Sequence, residues 1–152
     1  GLAGAQFALA SAVEQLRAAA GGSDETADYV VMSASDPANV WSLRLMGDLE
    51  SHGLRRPRDP RALLVTRNGE VILTADARMR WVRVRPGVAP DDVTAAVTAL
   101  LNHIVTRRAK DLTLETIDGD RAAASGHVKA FLDAGMRLIP AGLRYYASFA
   151  RG

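Results

Sequence analysis

The apolar positions along this chain change period several times, and each change predicts an element. Leu9, Val13, Leu16 and Ala20 recur at helical spacing, which predicts an amphipathic helix over Leu9–Ala19 closed by Gly21-Gly22. After the polar run Gly22–Asp28, Tyr29–Ala34 is dense in β-formers and reads as a strand buried on both faces, broken by Asp36-Pro37-Ala38-Asn39. From Val40 to Pro60 the periodicity is poor, and Gly47, Gly53, Pro57 and Pro60 predict a long connection with room for one helical turn. Ala62–Arg67 and Glu70–Ala75 flank Asn68-Gly69, the strongest hairpin signal here, because both central positions of a type I′ turn need positive φ. Met79, Trp81 and Arg83 alternate with Arg80, Val82 and Val84, predicting a third strand that runs to Pro86-Gly87.

A long helix follows from Ala89-Pro90-Asp91-Asp92, with Val93, Val97, Leu100, Leu101 and Ile104 as its apolar stripe. Its early acids and its late Arg107, Arg108 and Lys110 complement the helix dipole. Strands near Leu112–Ile117, Met136–Ile139 and Leu143–Ala147 complete the pattern. Between them Asp118-Gly119 suits a tight turn, Ser125 suits a helix cap, and Gly135 suits a left-handed helix stop. The fold class is α+β: a mostly antiparallel curved sheet or partly open β-barrel with two to three helices, in one domain over residues 1–152.

Composition narrows the classes. The 152 residues are 48% apolar and 24% charged, as in an ordinary folded domain. No window approaches the roughly 18 apolar residues of a transmembrane span, so no membrane partner is expected. The absence of cysteine excludes disulfides and thiolate metal sites and fits a cytoplasmic location. An opening Gly1 without Met fits a piece cut from a longer protein.

Charge is unevenly spread. Of 19 basic residues only Lys110 and Lys129 are Lys, and ten Arg against five acids lie between Arg44 and Arg85, an excess of five positive charges. The remainder carries nine basic and twelve acidic residues. An Arg-for-Lys bias follows from base composition in a GC-rich genome, but clustering does not. The cluster offers a polyanion-binding surface. Its candidates are Arg55, Arg56 and Arg58 in the long connection, with Arg78, Arg80, Arg83 and Arg85 on or beside the strand of Trp81. The arginine fork binds phosphate in bidentate fashion. The alternation favours Trp81 and Met79 in the core with the arginines solvating the outer face; an exposed Trp81 would instead stack on an unpaired base. Trp41 fits either an anchor or a core position.

Catalytic chemistry is sparse. Neither Lys follows a phosphate-loop glycine run, no dinucleotide fingerprint or nucleophile elbow occurs, and His52, His103 and His127 lack metal-ligand spacing. Asp91-Asp92 serve a helix start, and Asp118 and Asp120 flank a turn. Asp36 reads as a turn former with Asn39; its alternative is a water-activating base. No catalytic, metal or cofactor residue is assigned.

Four blocks together resemble one family. They are Gly1-Leu2-Ala3-Gly4-Ala5-Gln6-Phe7-Ala8-Leu9 leading to Leu16-Arg17, Asp36-Pro37-Ala38-Asn39, Arg56-Pro57 with the Asn68-Gly69 hairpin, and the closing Leu114–Asp120, Ser125–Gly135 and Pro140–Arg144 run. In order and spacing they resemble the C-terminal module of Lhr-type (large helicase-related) DEAD/DEAH-box ATP-dependent DNA helicases, across essentially the whole chain. Departures mark a divergent member. Val40-Trp41-Ser42-Leu43 and Met46–Leu49 stand where the family has aromatic-Gly and Leu-Pro-Trp-Pro. Met136 replaces Phe, and Ala141 replaces Arg.

The resemblance implies a long parent protein with a 3′-to-5′ helicase motor using ATP and Mg, then winged-helix domains, then this β-barrel-like module. It implies a role in DNA repair, with single-stranded DNA or hybrid duplex and the preceding winged helices as partners. The module itself would be accessory: nucleic-acid-binding or structural, without ATPase or helicase activity of its own. Two alternatives stay open, a DNA glycosylase-like catalytic module and a protein-interaction or oligomerisation module.

Overall fold

A computed structural model describes residues 29–39, 41, 49–55, 57–108 and 110–147. The expected helix over Leu9–Ala19 lies outside the described residues, as does Arg56.

Nine strands and two α-helices are described: β1 (Val30–Ser33), β2 (Leu63–Arg67), β3 (Glu70–Ala75), β4 (Trp81–Val84), α1 (Pro90–Arg108), β5 (Leu112–Leu114), β6 (Thr116–Ile117), β7 (Asp120–Arg121), α2 (Val128–Asp133), β8 (Arg137–Ile139) and β9 (Gly142–Tyr145). A 3-10 turn over Leu49–His52 supplies the helical turn expected in the long connection. The larger sheet has the order β1-β2-β3-β4-β6-β7, and a smaller one the order β5-β9-β8. All pairings are antiparallel except β4 with β6. This is the expected α+β class. The sheet is open, with β1 and β7 as its edges, so the barrel expectation resolves to a curved sheet that does not close.

Turn chemistry places the hairpins. Asn68 (φ 52°) and Gly69 (φ 79°) join β2 to β3, and Asp118 (φ 56°) and Gly119 (φ 99°) join β6 to β7. A bulge opposite Val65/Thr66 leaves Ile72 without a partner in the register. A bulge turns successive residues to one side, which explains why Ile72 and Leu73 both enter the main core while Val71 faces the other way.

That core forms where Val93, Ala96, Val97, Leu100, Leu101 and Ile104 of α1 lie with Leu63, Val65, Leu73 and Ala75, all of them buried. Full burial of such a side chain stabilises by about 1.5–3 kcal/mol, so this helix face is a main source of fold stability. A second cluster of Trp41, Leu49, Leu54, Leu64 and Val71 covers the opposite face of β2 and β3. Trp41 is its anchor, 6% exposed, with its indole N–H donating to Gly69 O at 3.0 Å.

Several expectations need correction. The segment expected as one buried strand over Tyr29–Ala34 is an edge strand, with Val30 half exposed. Leu112–Ile117 divides into β5 and β6 in different sheets, because the Glu115 and Thr116 N–H groups turn to Arg80 O. Trp81 is only half-buried. Met79 sits in a left-handed turn (φ 56°) ahead of the strand, so the alternation starts afresh at Trp81 and Val82 and Val84 take the core positions. Ser125 does not cap α2: the N-cap position is His127, and Ser125 Oγ, two residues ahead of it, accepts the His127 N–H at 3.2 Å. Gly135 (φ 96°) ends the helix as expected.

Candidate nucleic-acid interface

The strand β4 and the loop before β2 build the principal groove. Asp76 at the end of β3 fixes where β4 starts. Its carboxylate accepts the backbone N–H groups of Arg80 and Trp81, and its N–H donates to Trp81 O at 3.2 Å. Beyond β4 lies the β6–β7 turn, tied on by Asp118, whose N–H donates to Val82 O at 2.9 Å and whose Oδ1 accepts Val84 N–H at 2.8 Å. Between these elements opens a groove of about 490 Å³ lined by Arg55, Arg58, Trp81, Arg83, Thr116 and Gly119, with Pro57, Asp59 and Val82.

Three of the seven candidate arginines therefore meet: Arg55 and Arg58 from the loop, and Arg83 from β4. No ion pair to another described residue occupies them. The groove's carboxylate, Asp59, is already committed. Arg61 grips it through Nε and Nη2, both at 3.1 Å, and through its backbone N–H at 2.9 Å. These hydrogen bonds, side chain first, hold the Asp59 carboxyl below the usual carboxylate range. The half-buried Trp81 indole lies among the three cations.

The other candidates go elsewhere. Arg78 and Arg80 line a separate groove with Lys110, and Arg80 also lies 3.7 Å from the Asp76 carboxylate. Arg85 is bound to Glu70. Sequence reasoning missed Thr116, Gly119 and Lys110. Asp118-Gly119 signals only a turn, and its place beside β4 depends on the parallel β4–β6 pairing, for which no local signal exists.

Asp36 acts as a turn former. Its Oδ1 accepts the Ala38 N–H at 2.9 Å, while the buried Asn39 donates to Ala34 O at 3.2 Å and accepts the Trp41 N–H at 3.2 Å. Among the described residues no three His, Cys, Asp or Glu side chains gather to hold a metal, and no helix is long and apolar enough to cross a membrane.

Fold and site thus define an open-sheet α+β domain that presents, around a tryptophan, guanidinium groups outside any ion pair among the described residues. No family model matches the chain. It is 33% identical over 160 residues to "Lhr helicase/ probable uracil glycosylase" of Mycolicibacterium smegmatis, an alignment covering 94% of this chain and 10% of that protein. It is 34% identical over 106 residues to "Lhr helicase/uracil glycosylase" of Escherichia coli, covering 66% of this chain and 7% of that protein. The chain is homologous to a segment of these Lhr proteins, and it spans a tenth or less of their length.

Proposed function

We propose that the chain is the C-terminal, accessory nucleic-acid-binding module of an Lhr-type ATP-dependent DNA helicase acting in DNA repair, and that the Trp81 groove is its contact surface. One observation carries this reading: Arg55, Arg58 and Arg83 come from two distant segments and, free of ion pairs among the described residues, line one groove with the partly exposed Trp81. Guanidinium forks suit phosphates, and an indole offers a face to an unpaired base, so single-stranded DNA is the favoured partner over duplex. ATP, Mg and strand translocation belong to the motor of the parent protein, and the preceding winged helices complete the DNA path.

The test is titration of the chain with labelled single strands at several salt concentrations. Each phosphate contact contributes about 0.7 to the slope of log K against log salt. Arg55→Ala, Arg58→Ala and Arg83→Ala together are expected to lower that slope by about 2. Binding that ignores salt, or that survives the triple variant unchanged, removes this groove as the interface.

The names of both relatives favour a second reading, a part in uracil excision. Incubating the chain with uracil-containing single strands and probing for abasic sites tests it. Product that persists in Asp36→Asn would exclude Asp36 as the base.

A further inference from the structure

Beside the Trp81 groove lies a second one of about 490 Å³, lined by Arg78, Arg80, Lys110, Asp111, Leu112, Thr113 and Glu115. Its cations come from the β3–β4 turn and from the segment after α1, so two separated stretches build it too. Asp111 is neutralised within the fold. Its Oδ2 accepts from Arg144 at 3.1 Å and its Oδ1 accepts the Ala147 N–H at 3.1 Å. Arg78 and Lys110 are exposed and, among the described residues, outside any ion pair. Arg80 keeps 60% of its side chain exposed despite Asp76.

The linings of the two grooves come within one residue of each other on two segments. Arg80 O accepts the N–H of Glu115 at 2.8 Å and of Thr116 at 3.2 Å. Trp81 and Thr116 line the first groove, and Arg80 and Glu115 line the second, one residue away on each segment. Building on the reading of the first groove, we propose that Arg78, Arg80 and Lys110 form a second phosphate-binding groove continuous with it, so that one single strand of nucleic acid runs through both. Glu115 then stands at the junction as a carboxylate beside the strand's phosphates, and it weakens rather than supports the longer complex.

Anisotropy titration of the full chain with a length series of labelled oligothymidylates tests this. Wild-type affinity should climb until the strand fills both grooves. Arg78→Ala with Lys110→Ala should bring the plateau to a shorter length, leave the shortest binding strands unaffected, and lower the salt slope for long strands by about 1.4. Glu115→Gln should tighten long strands alone, by about two- to fivefold, the scale of one exposed charge interaction, and a gain of binding does not arise from misfolding. An equal effect at every length, or none at any, overturns the proposal. Loss of binding in the Arg55, Arg58 and Arg83 variant with indifference to Arg78, Lys110 and Glu115 sinks this inference alone. A chain that binds no strand at all sinks both readings.

Discussion

The carboxylate of Asp76 accepts the backbone N–H of Trp81 at 3.2 Å, so a single buried acid decides where the groove strand begins. The same carboxylate accepts from Arg80 N–H, and Asp76 O accepts from Met79 N–H at 2.9 Å. Together these bonds hold Met79 at φ 56° with its side chain in the core. Asp76→Ala removes the acceptor of two part-buried N–H groups, at up to about 1–3 kcal/mol each, the figure for a fully buried donor being the upper bound. Urea unfolding should show a loss of that order, with Asp76→Asn recovering part of it through its remaining carbonyl oxygen. An unchanged midpoint in Asp76→Ala would show that the turn holds itself.

Gly142 is the tightest backbone site in the smaller sheet. It has φ 138°, and a Cβ there would stand 2.2 Å from Leu114 O. Gly119 has φ 99° but open space around its missing Cβ. Gly142→Ala must push β9 away from β5, where Leu143 pairs with Leu114, and should cost several-fold more than the ~1–2 kcal/mol of left-handed backbone strain that Gly119→Ala incurs. Thermal unfolding of the two variants side by side checks the ranking, and equal losses would refute it.

What the sequence made legible was local. Asn68-Gly69 and Asp118-Gly119 announce their turns because positive φ is demanded within the dipeptide itself. The α1 stripe announces its buried face for the same reason, since the period is read within the helix. Partner choice was not legible. Nothing within Leu112–Ile117 says that Glu115 will bond to Arg80 O and split the strand between two sheets. Trp41 gave no signal because its partner, Gly69 O, lies 28 residues away. The arginine cluster was visible as composition, but its division depends on register. Once Met79 turns left-handed, Arg83 falls beside Trp81, Arg78 and Arg80 fall into the other groove, and Arg85 goes to Glu70.

His103 on α1 supplies a pH dependence. Burial first, then the nearby Arg107 charge, lowers its pKa from the ordinary 6.5. A folded-state pKa below the unfolded one means that the unfolded chain binds the proton more readily. Stability is then unaffected by this group well above 6.5 and declines as pH falls through 6.5 toward the folded value. Tm measured from pH 7.5 to 5 should fall more steeply in the wild type than in His103→Gln. Identical profiles would assign the acid sensitivity to other groups.

Trp81 gives the proposed interface its most direct reporter. The chain has two tryptophans, and Trp41 is buried with its N–H bonded to Gly69 O, so it supplies a constant emission. Trp81 is partly exposed in the groove that Arg55, Arg58 and Arg83 line, where a stacked base would quench it. Base–aromatic stacking is worth about 1–3 kcal/mol, so Trp81→Ala should weaken single-strand binding by about 5- to 150-fold, with Trp81→Phe intermediate. Arg85→Gln is the matched control. It removes an arginine just past the far end of the same strand, one already engaged by Glu70, and should leave affinity nearly unchanged while lowering stability slightly. Strand-induced quenching that persists in Trp81→Phe, or an Arg85 effect as large as that of Arg83, would place the nucleic acid on another face.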